Sequence, residues 1–202
     1  MRKFLALAAT VILGGALLIA GCGNDNNKQA ASNSKQVLKI GATAVPHAEI
    51  LEQVKPILAK DGIELKITEF TDYNTPNLAL GDKEIDANFF QHIPYMDEFA
   101  KAHKLNLVSA GGVHLEPMGL YSRQIKDLKD LPKGAKIAIP NDPTNGGRAL
   151  LLLQKQGLIT LKDSSNILST VQDIASNPNE YQFVELEAAQ VPRSLDDVAL
   201  AA

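Results

Sequence analysis

The pattern of apolar and polar positions divides the chain into three stretches. Phe4 to Ala20 is apolar and uncharged, and it follows Arg2 and Lys3. Residues 23–36 are dominated by Asn, Asp, Ser, Gln and Lys, too polar a run to bury a core. From Val37 onward, short apolar strands alternate with segments of helical period. Val37–Ala42 reads as a strand. Pro46 opens a helix, where its missing N–H costs nothing, and Ile50, Leu51, Val54 and Leu58 share one face. Pro56 falls inside that pattern and predicts a kink or early fraying. Asp61-Gly62 ends the helix. Ile63–Phe70 alternates like a half-buried strand, Thr75–Leu80 is a short helix closed by Gly81, and Ile85–Phe89 is a third strand. His92–His103 is helical, with Met96, Phe99 and Ala100 facing inward. Leu105–Leu115 predicts another strand, interrupted at Gly111-Gly112, and Met118–Ser122 stays extended.

The second half repeats the theme. Asp127–Pro132 is a short turn or helix, and Lys136–Pro140 is a buried strand. A helix begins near Pro143, capped by Asn141 or Asp142, and ends at Gly157. Thr170–Ile174 predicts a short helix, Phe183–Leu186 a strand, and Val198–Ala202 the start of another. Strands and helices in this alternation predict an α/β fold with a mainly parallel sheet.

Composition and charge then narrow the function. The formal net charge is −3, so nothing favours a nucleic-acid partner held through phosphates. The single cysteine, Cys22, excludes an intrachain disulfide and the Cys-rich zinc modules. It follows Ile19-Ala20-Gly21 at the end of the apolar run, which reads as a secretory signal over residues 1–21. The order aliphatic, Ala, Gly, Cys resembles a bacterial lipobox. That resemblance implies acylation of the Cys22 thiol, anchoring in membrane lipid, and a flexible tether over 22–36.

Two segments carry candidate chemistry. The first is Pro140 to Gln156, where a strand runs into a helix start. Backbone N–H groups there attract anions, and Arg148, about one turn in, could grip a carboxylate through two parallel hydrogen bonds. Gly146 and Gly147 would let a ligand approach the backbone closely. A capped surface helix with a solvated arginine is the other reading. The second is Asn88 to Tyr95, which packs Phe89, Phe90, His92 and Tyr95 into a strand-to-helix junction. Phe89 and Phe90 point to opposite sides of the sheet, so one can be core while the other lines a crevice. Tyr73, after another strand end, could reach the same crevice, and aromatic faces suit a thioether. Here the alternative is that these rings are simply core. His47, His92 and His114, with Glu116, could form a nitrogen-rich metal site, although their spacing says nothing for it. No catalytic nucleophile pattern or cofactor motif stands out, so an enzyme is not expected.

Four segments together resemble a known family. They are Pro46-His47-Ala48-Glu49-Ile50-Leu51, Asp86 through Tyr95, Ile139 through Asn145 with Gly147-Arg148, and Glu187 through Arg193. They are similar to the methionine-binding lipoproteins of MetQ/NlpA type, the substrate-binding components of methionine ABC importers. The resemblance runs from Val37 to the last residue. It implies a two-lobed fold of the type II periplasmic-binding-protein kind, with a cleft between lobe 1 (37–120) and lobe 2 (121–202). It also implies that Arg148 binds the ligand carboxylate. Tyr73, Phe90, His92 and Tyr95 would enclose the side chain, with Asn145 as a polar partner. Residues Pro117 to Ser122 would be the first crossing between lobes and a hinge candidate. The implied partners are L-methionine and an inner-membrane permease with its ATPase. D-methionine, a methionine-containing dipeptide or a metal-scavenging role are the alternatives. Family members continue for several dozen residues beyond the position of Ala202, so the resemblance implies an incomplete second lobe, exposed apolar edges and weakened binding.

Overall fold

The computed structural model describes residues 36–202. The signal assigned to residues 1–21, the lipidation at Cys22 and the tether up to residue 35 lie outside the described residues. Gln36, expected in the tether, already belongs to the first strand.

The first parallel sheet has the order β2-β1-β3, built from β1 (Gln36–Thr43), β2 (Ile63–Phe70) and β3 (Ala87–Phe89). Its connections are α1 (Glu49–Lys60) and α2 (Thr75–Gly81). After β3 comes α3 (Ile93–His103). A second parallel sheet, β7-β4-β8, combines β4 (Lys136–Pro140), β7 (Gln182–Leu186) and β8 (Leu200–Ala201). Helix α4 (Pro143–Lys155) packs on β4. The short strands β5 (Thr160–Leu161) and β6 (Ile174–Ser176) pair antiparallel. A run of 3-10 turns over Ala188–Asp196 precedes β8.

The central strand β4 forms where uninterrupted apolar residues allow burial on both faces, whereas β2 keeps alternate positions exposed. In β4, Ile137, Ala138 and Ile139 are at most 1% exposed, as a central parallel strand covered on both sides requires. Around it, Leu150, Leu153, Leu158, Ile159, Tyr181 and Leu200 form the larger of the cores. The first sheet has a smaller one, Ala42, Ala48, Leu51 and Leu65, with Leu58 and Phe89 packed against it.

Four expectations are corrected. Helix α1 runs through Pro56 to Lys60. Pro56 is exposed and sits in the helix's last turns, so the lost hydrogen bond leaves only the carbonyl of exposed Glu52 to water. The third strand starts at Ala87 rather than Ile85; Ile85 is buried but outside the ladder. Leu105–Leu115 is not a strand: the chain runs without regular structure from 105 to 120. Alternation predicts an extended backbone, but a ladder needs a neighbour, and none pairs with this segment among the described residues. Val108, Val113 and Leu115 are accordingly 83%, 67% and 86% exposed.

The glycines of α4 are the fourth correction. They approach the chain's own backbone rather than opening a route for a ligand. A Cβ on Gly146 would lie 2.8 Å from the Pro140 carbonyl oxygen, and one on Gly147 would collide with the carbonyl of Ile167. Gly147→Ala is therefore expected to destabilise the fold by about 1–3 kcal/mol, the usual cost of overpacking, measured by urea unfolding.

The chain enters the second sheet at Tyr121, which pairs antiparallel with Ala201 through two backbone hydrogen bonds. Ser122 Oγ donates to the Ala199 carbonyl at 2.7 Å, and Gln124 Nε2 to that of Val198 at 3.1 Å. Within the hinge candidate, Tyr121 and Ser122 are thus tied to the β8 end of the second sheet, which leaves Pro117–Leu120 without regular structure.

Candidate functional site

The C-terminal ends of β1, β3 and β4 lead into the N-termini of the turns and helices that border one cavity of about 1780 Å³. Crevices at the carboxyl ends of parallel strands are where α/β proteins place their ligands. Tyr73, Phe90, His92, Tyr95, Asn145 and Arg148, singled out from separate parts of the sequence, all line this cavity.

On one side stands an aromatic cluster. Phe90, Tyr95 and Phe99 are buried, with Tyr73 and Leu105 packed against them. The Tyr73 and Phe90 ring centroids lie 5.9 Å apart, and Phe90 and Tyr95 meet edge to face at 6.0 Å. These separations are normal for paired aromatics. The Tyr95 hydroxyl donates to the Tyr73 carbonyl at 3.0 Å, which fixes the loop bearing Tyr73. Asp72 shapes the same loop by accepting from the Thr75 and Asn74 backbone N–H groups at 2.7 and 2.8 Å. Burial raises the pKa of both Tyr73 and Tyr95, so both stay protonated. Phe89 packs against the core of the first sheet and Phe90 belongs to the aromatic cluster, and both also line the cavity, so the expected split into one core ring and one crevice ring is not seen.

A polar network missed in the sequence sets the position of this wall. Asn77 on α2 is fully buried. Its Oδ1 accepts from Asn88 Nδ2 at 2.8 Å and Gln91 Nε2 at 2.7 Å, while its Nδ2 donates to Gln91 Oε1 at 2.8 Å. Phe90 lies between two of the pinned residues and His92 directly after them. Nothing in the spacing of Asn77 announced it, since its partners lie 11 and 14 residues away.

On the other side is the start of α4. Asp142 caps the helix: its carboxylate accepts from the Asn145 backbone N–H at 2.8 Å and from the Thr144 hydroxyl at 2.9 Å. It also accepts from Asn145 Nδ2 at 3.1 Å, which turns Asn145 Oδ1 toward Arg148. Arg148 Nη1 donates to that oxygen at 3.0 Å, and Nη2 donates to the Glu116 carbonyl at 3.0 Å. The guanidinium is thereby oriented while its remaining N–H groups stay available to an anion. Of the two capping candidates, Asp142 is the cap.

His92 caps the other approach, at the start of α3. Its Nε2 is buried and has no hydrogen-bond partner among the described residues. Burial lowers its pKa, and the Arg148 charge lowers it further. His92 is therefore neutral at pH 7. His47, His114 and Glu116 come together elsewhere on the cavity wall, and His92 is not part of that group.

Two parallel α/β units around a cleft that joins an oriented arginine to an aromatic wall form the architecture of the periplasmic substrate-binding proteins. The chain belongs to the NlpA lipoprotein family, whose profile matches residues 38–202. It is 45% identical to a probable D-methionine-binding lipoprotein MetQ of Vibrio cholerae, over 99% of this chain and 71% of that one. It is 43% identical to the D-methionine-binding lipoprotein MetQ of Escherichia coli K12, over 98% of this chain and 72% of that one. Among solved structures, a nutrient-binding protein from Burkholderia cenocepacia bound to methionine superposes with a TM-score of 0.78 at 48% identity. That match covers 81% of this chain and 70% of the other. No helix among the described residues is long and apolar enough to cross a membrane.

The depressed pKa of His92 has a signed consequence. The unfolded chain binds a proton at this residue near pH 6.5, whereas the folded chain binds it only at lower pH. Stability is thus complete above pH 6.5 and is lost as pH falls toward the folded value. The His92→Gln variant should lose less stability between pH 7 and pH 5 than the parent, as read by denaturant unfolding at each pH.

Proposed function

We propose that this protein is the membrane-anchored receptor of an importer that captures free methionine. The observation that carries the reading is the pairing, in one cleft, of an oriented Arg148 with the wall of Tyr73, Phe90, His92 and Tyr95. Arg148 would hold the α-carboxylate, with Asn145 fixing the guanidinium. The aromatic wall would surround the thioether, where each sulfur–aromatic contact adds about 0.3–1.5 kcal/mol. The buried, unpartnered Nε2 of His92 would find a polar group of the ligand, relieving a cost of about 1–3 kcal/mol. The names of the relatives support this ligand class.

Acyl chains on Cys22 would hold the protein on the outer side of the cell membrane, with residues 23–35 as the tether. The loaded protein would dock on an inner-membrane permease that is powered by its ATPase. The protein itself would perform no chemistry. Lobe 1 (37–120) and lobe 2 (121–202) would close on the ligand about Pro117–Leu120.

The full chain in detergent should melt at a higher temperature with methionine. A ligand at a hundred times its Kd adds about 2.7 kcal/mol. Running L-methionine, D-methionine, glycyl-methionine and glutamine side by side assigns the enantiomer and tests the side-chain pocket. Arg148→Ala should weaken methionine binding about ten- to hundredfold, the worth of a lost charged hydrogen bond. A cooperative melt indifferent to all four compounds would defeat the proposal.

A separate expectation concerns the anchor. Cys22→Ala should abolish incorporation of a labelled fatty acid into the chain, read after gel separation of the labelled protein. Fatty-acid labelling equal to that of the parent would argue against lipidation at Cys22.

A further inference from the structure

We infer that His47, His114 and Glu116 form a binding site for a divalent transition-metal ion, with zinc the best match. One donor atom from each of the three residues lies within 4.8 Å of the others. His114 Nε2 is 3.0 Å and His47 Nε2 is 4.0 Å from the same oxygen, Oε1 of Glu116. Ligands of a tetrahedral zinc, with bonds of about 2.0–2.1 Å, stand about 3.3 Å apart. The cluster therefore needs only small side-chain adjustments to close on an ion. Two imidazoles and one carboxylate are a donor set that suits zinc and leaves a fourth position for water.

The surroundings supply what metal-bound imidazoles need. The Thr43 hydroxyl lies 2.7 Å from His47 Nδ1 and can accept its proton, which leaves the lone pair on Nε2, the atom that faces Glu116. Phe89, at the end of β3, meets both imidazoles edge to face, His47 at 4.7 Å and His114 at 5.6 Å between ring centroids. His47 is 6% exposed, so one ligand is fixed inside the fold while His114 and Glu116 stay accessible to an incoming ion. His47 belongs to the turn after β1, and the other two belong to the irregular 105–120 segment. An ion here would clamp that segment onto the first sheet. The group lines the same cavity as the aromatic wall, and the Glu116 backbone also accepts from Arg148.

The test uses the full chain in detergent, stripped with a chelator and then titrated with Zn²⁺ by calorimetry. One equivalent should bind, and His47→Gln and His114→Gln should each weaken binding at least tenfold. His103→Gln, which alters a histidine outside the group and outside the cavity lining, should leave it unchanged. To separate loss of metal from misfolding of a variant, amide hydrogen exchange of the unaltered chain provides a second readout, and exchange across residues 107–116 should slow on adding zinc. Replacing zinc with Co²⁺ should give the visible absorption of a low-coordinate site. Zinc binding that survives loss of both His47 and His114, or no saturable binding at all, would overturn the inference. So would exchange in 107–116 that is indifferent to the metal.

Discussion

Arg148 bonds at once to its own helix and to the irregular segment that links the two sheets. Nη1 is held by Asn145 one turn back, and Nη2 reaches the carbonyl of Glu116. Asn145 in turn is set by Asp142, which caps the helix through backbone and side chain together. The guanidinium is therefore placed by a chain of three hydrogen-bonded residues instead of by its own flexible stem. A side chain ordered this way has already lost much of its rotamer entropy before any ligand arrives. The close packing of α4 serves the same end. Gly146 and Gly147 let the helix start lie against Pro140 and Ile167, and a wider approach would carry Arg148 away from Glu116.

The facing wall depends on a different device. Asn77 is buried among Asn88 and Gln91, and the three amides satisfy one another. A buried amide network is costly when incomplete and geometrically demanding when complete. It therefore fixes the backbone on both sides of Phe90 more tightly than apolar packing would. Rigid polar groups hold each side of the cleft, and the Tyr95 hydroxyl adds the bond that fixes the Tyr73 loop.

How much of this was legible in the sequence depends on the range of the interactions. Elements made by local pattern were readable: Ile63–Phe70 is a strand over the span its alternation predicts, and α2 ends at Gly81 as the glycine suggested. Leu105–Leu115 defeats pattern reading because alternation reports only that a backbone is extended, whereas a ladder depends on a neighbour far away in the chain. Pro56 was over-weighted, since a proline in the last turns of an exposed helix removes a bond that water replaces. The candidate residues that line the cavity are legible through their types and their positions at strand ends. Asn77 and the Glu116 carbonyl escaped because neither has a local signature. The former acts through partners 11 and 14 residues away, and the latter uses a backbone atom that every residue possesses.

The division of labour in the cleft also bounds its selectivity. Every free amino acid carries the carboxylate that Arg148 would grip, so that contact adds affinity without choosing among them. Choice must come from the aromatic wall. A hydrophobic pocket discriminates one methylene by only about 1–3 kcal/mol, which limits rejection of a near-isostere such as leucine to roughly 10- to 200-fold. Sulfur is what separates the two, through its polarizability against Tyr73, Phe90 and Tyr95. Glutamine, similar in length, is disfavoured for another reason. Its amide would meet ring faces and the single His92 Nε2, and the amide groups left unpaired would each cost about 1–3 kcal/mol on the scale of protein mutations. On the proposed reading, rejection of polar side chains follows from how few polar partners the wall offers beyond His92, and preference over leucine follows from how closely its rings enclose the sulfur.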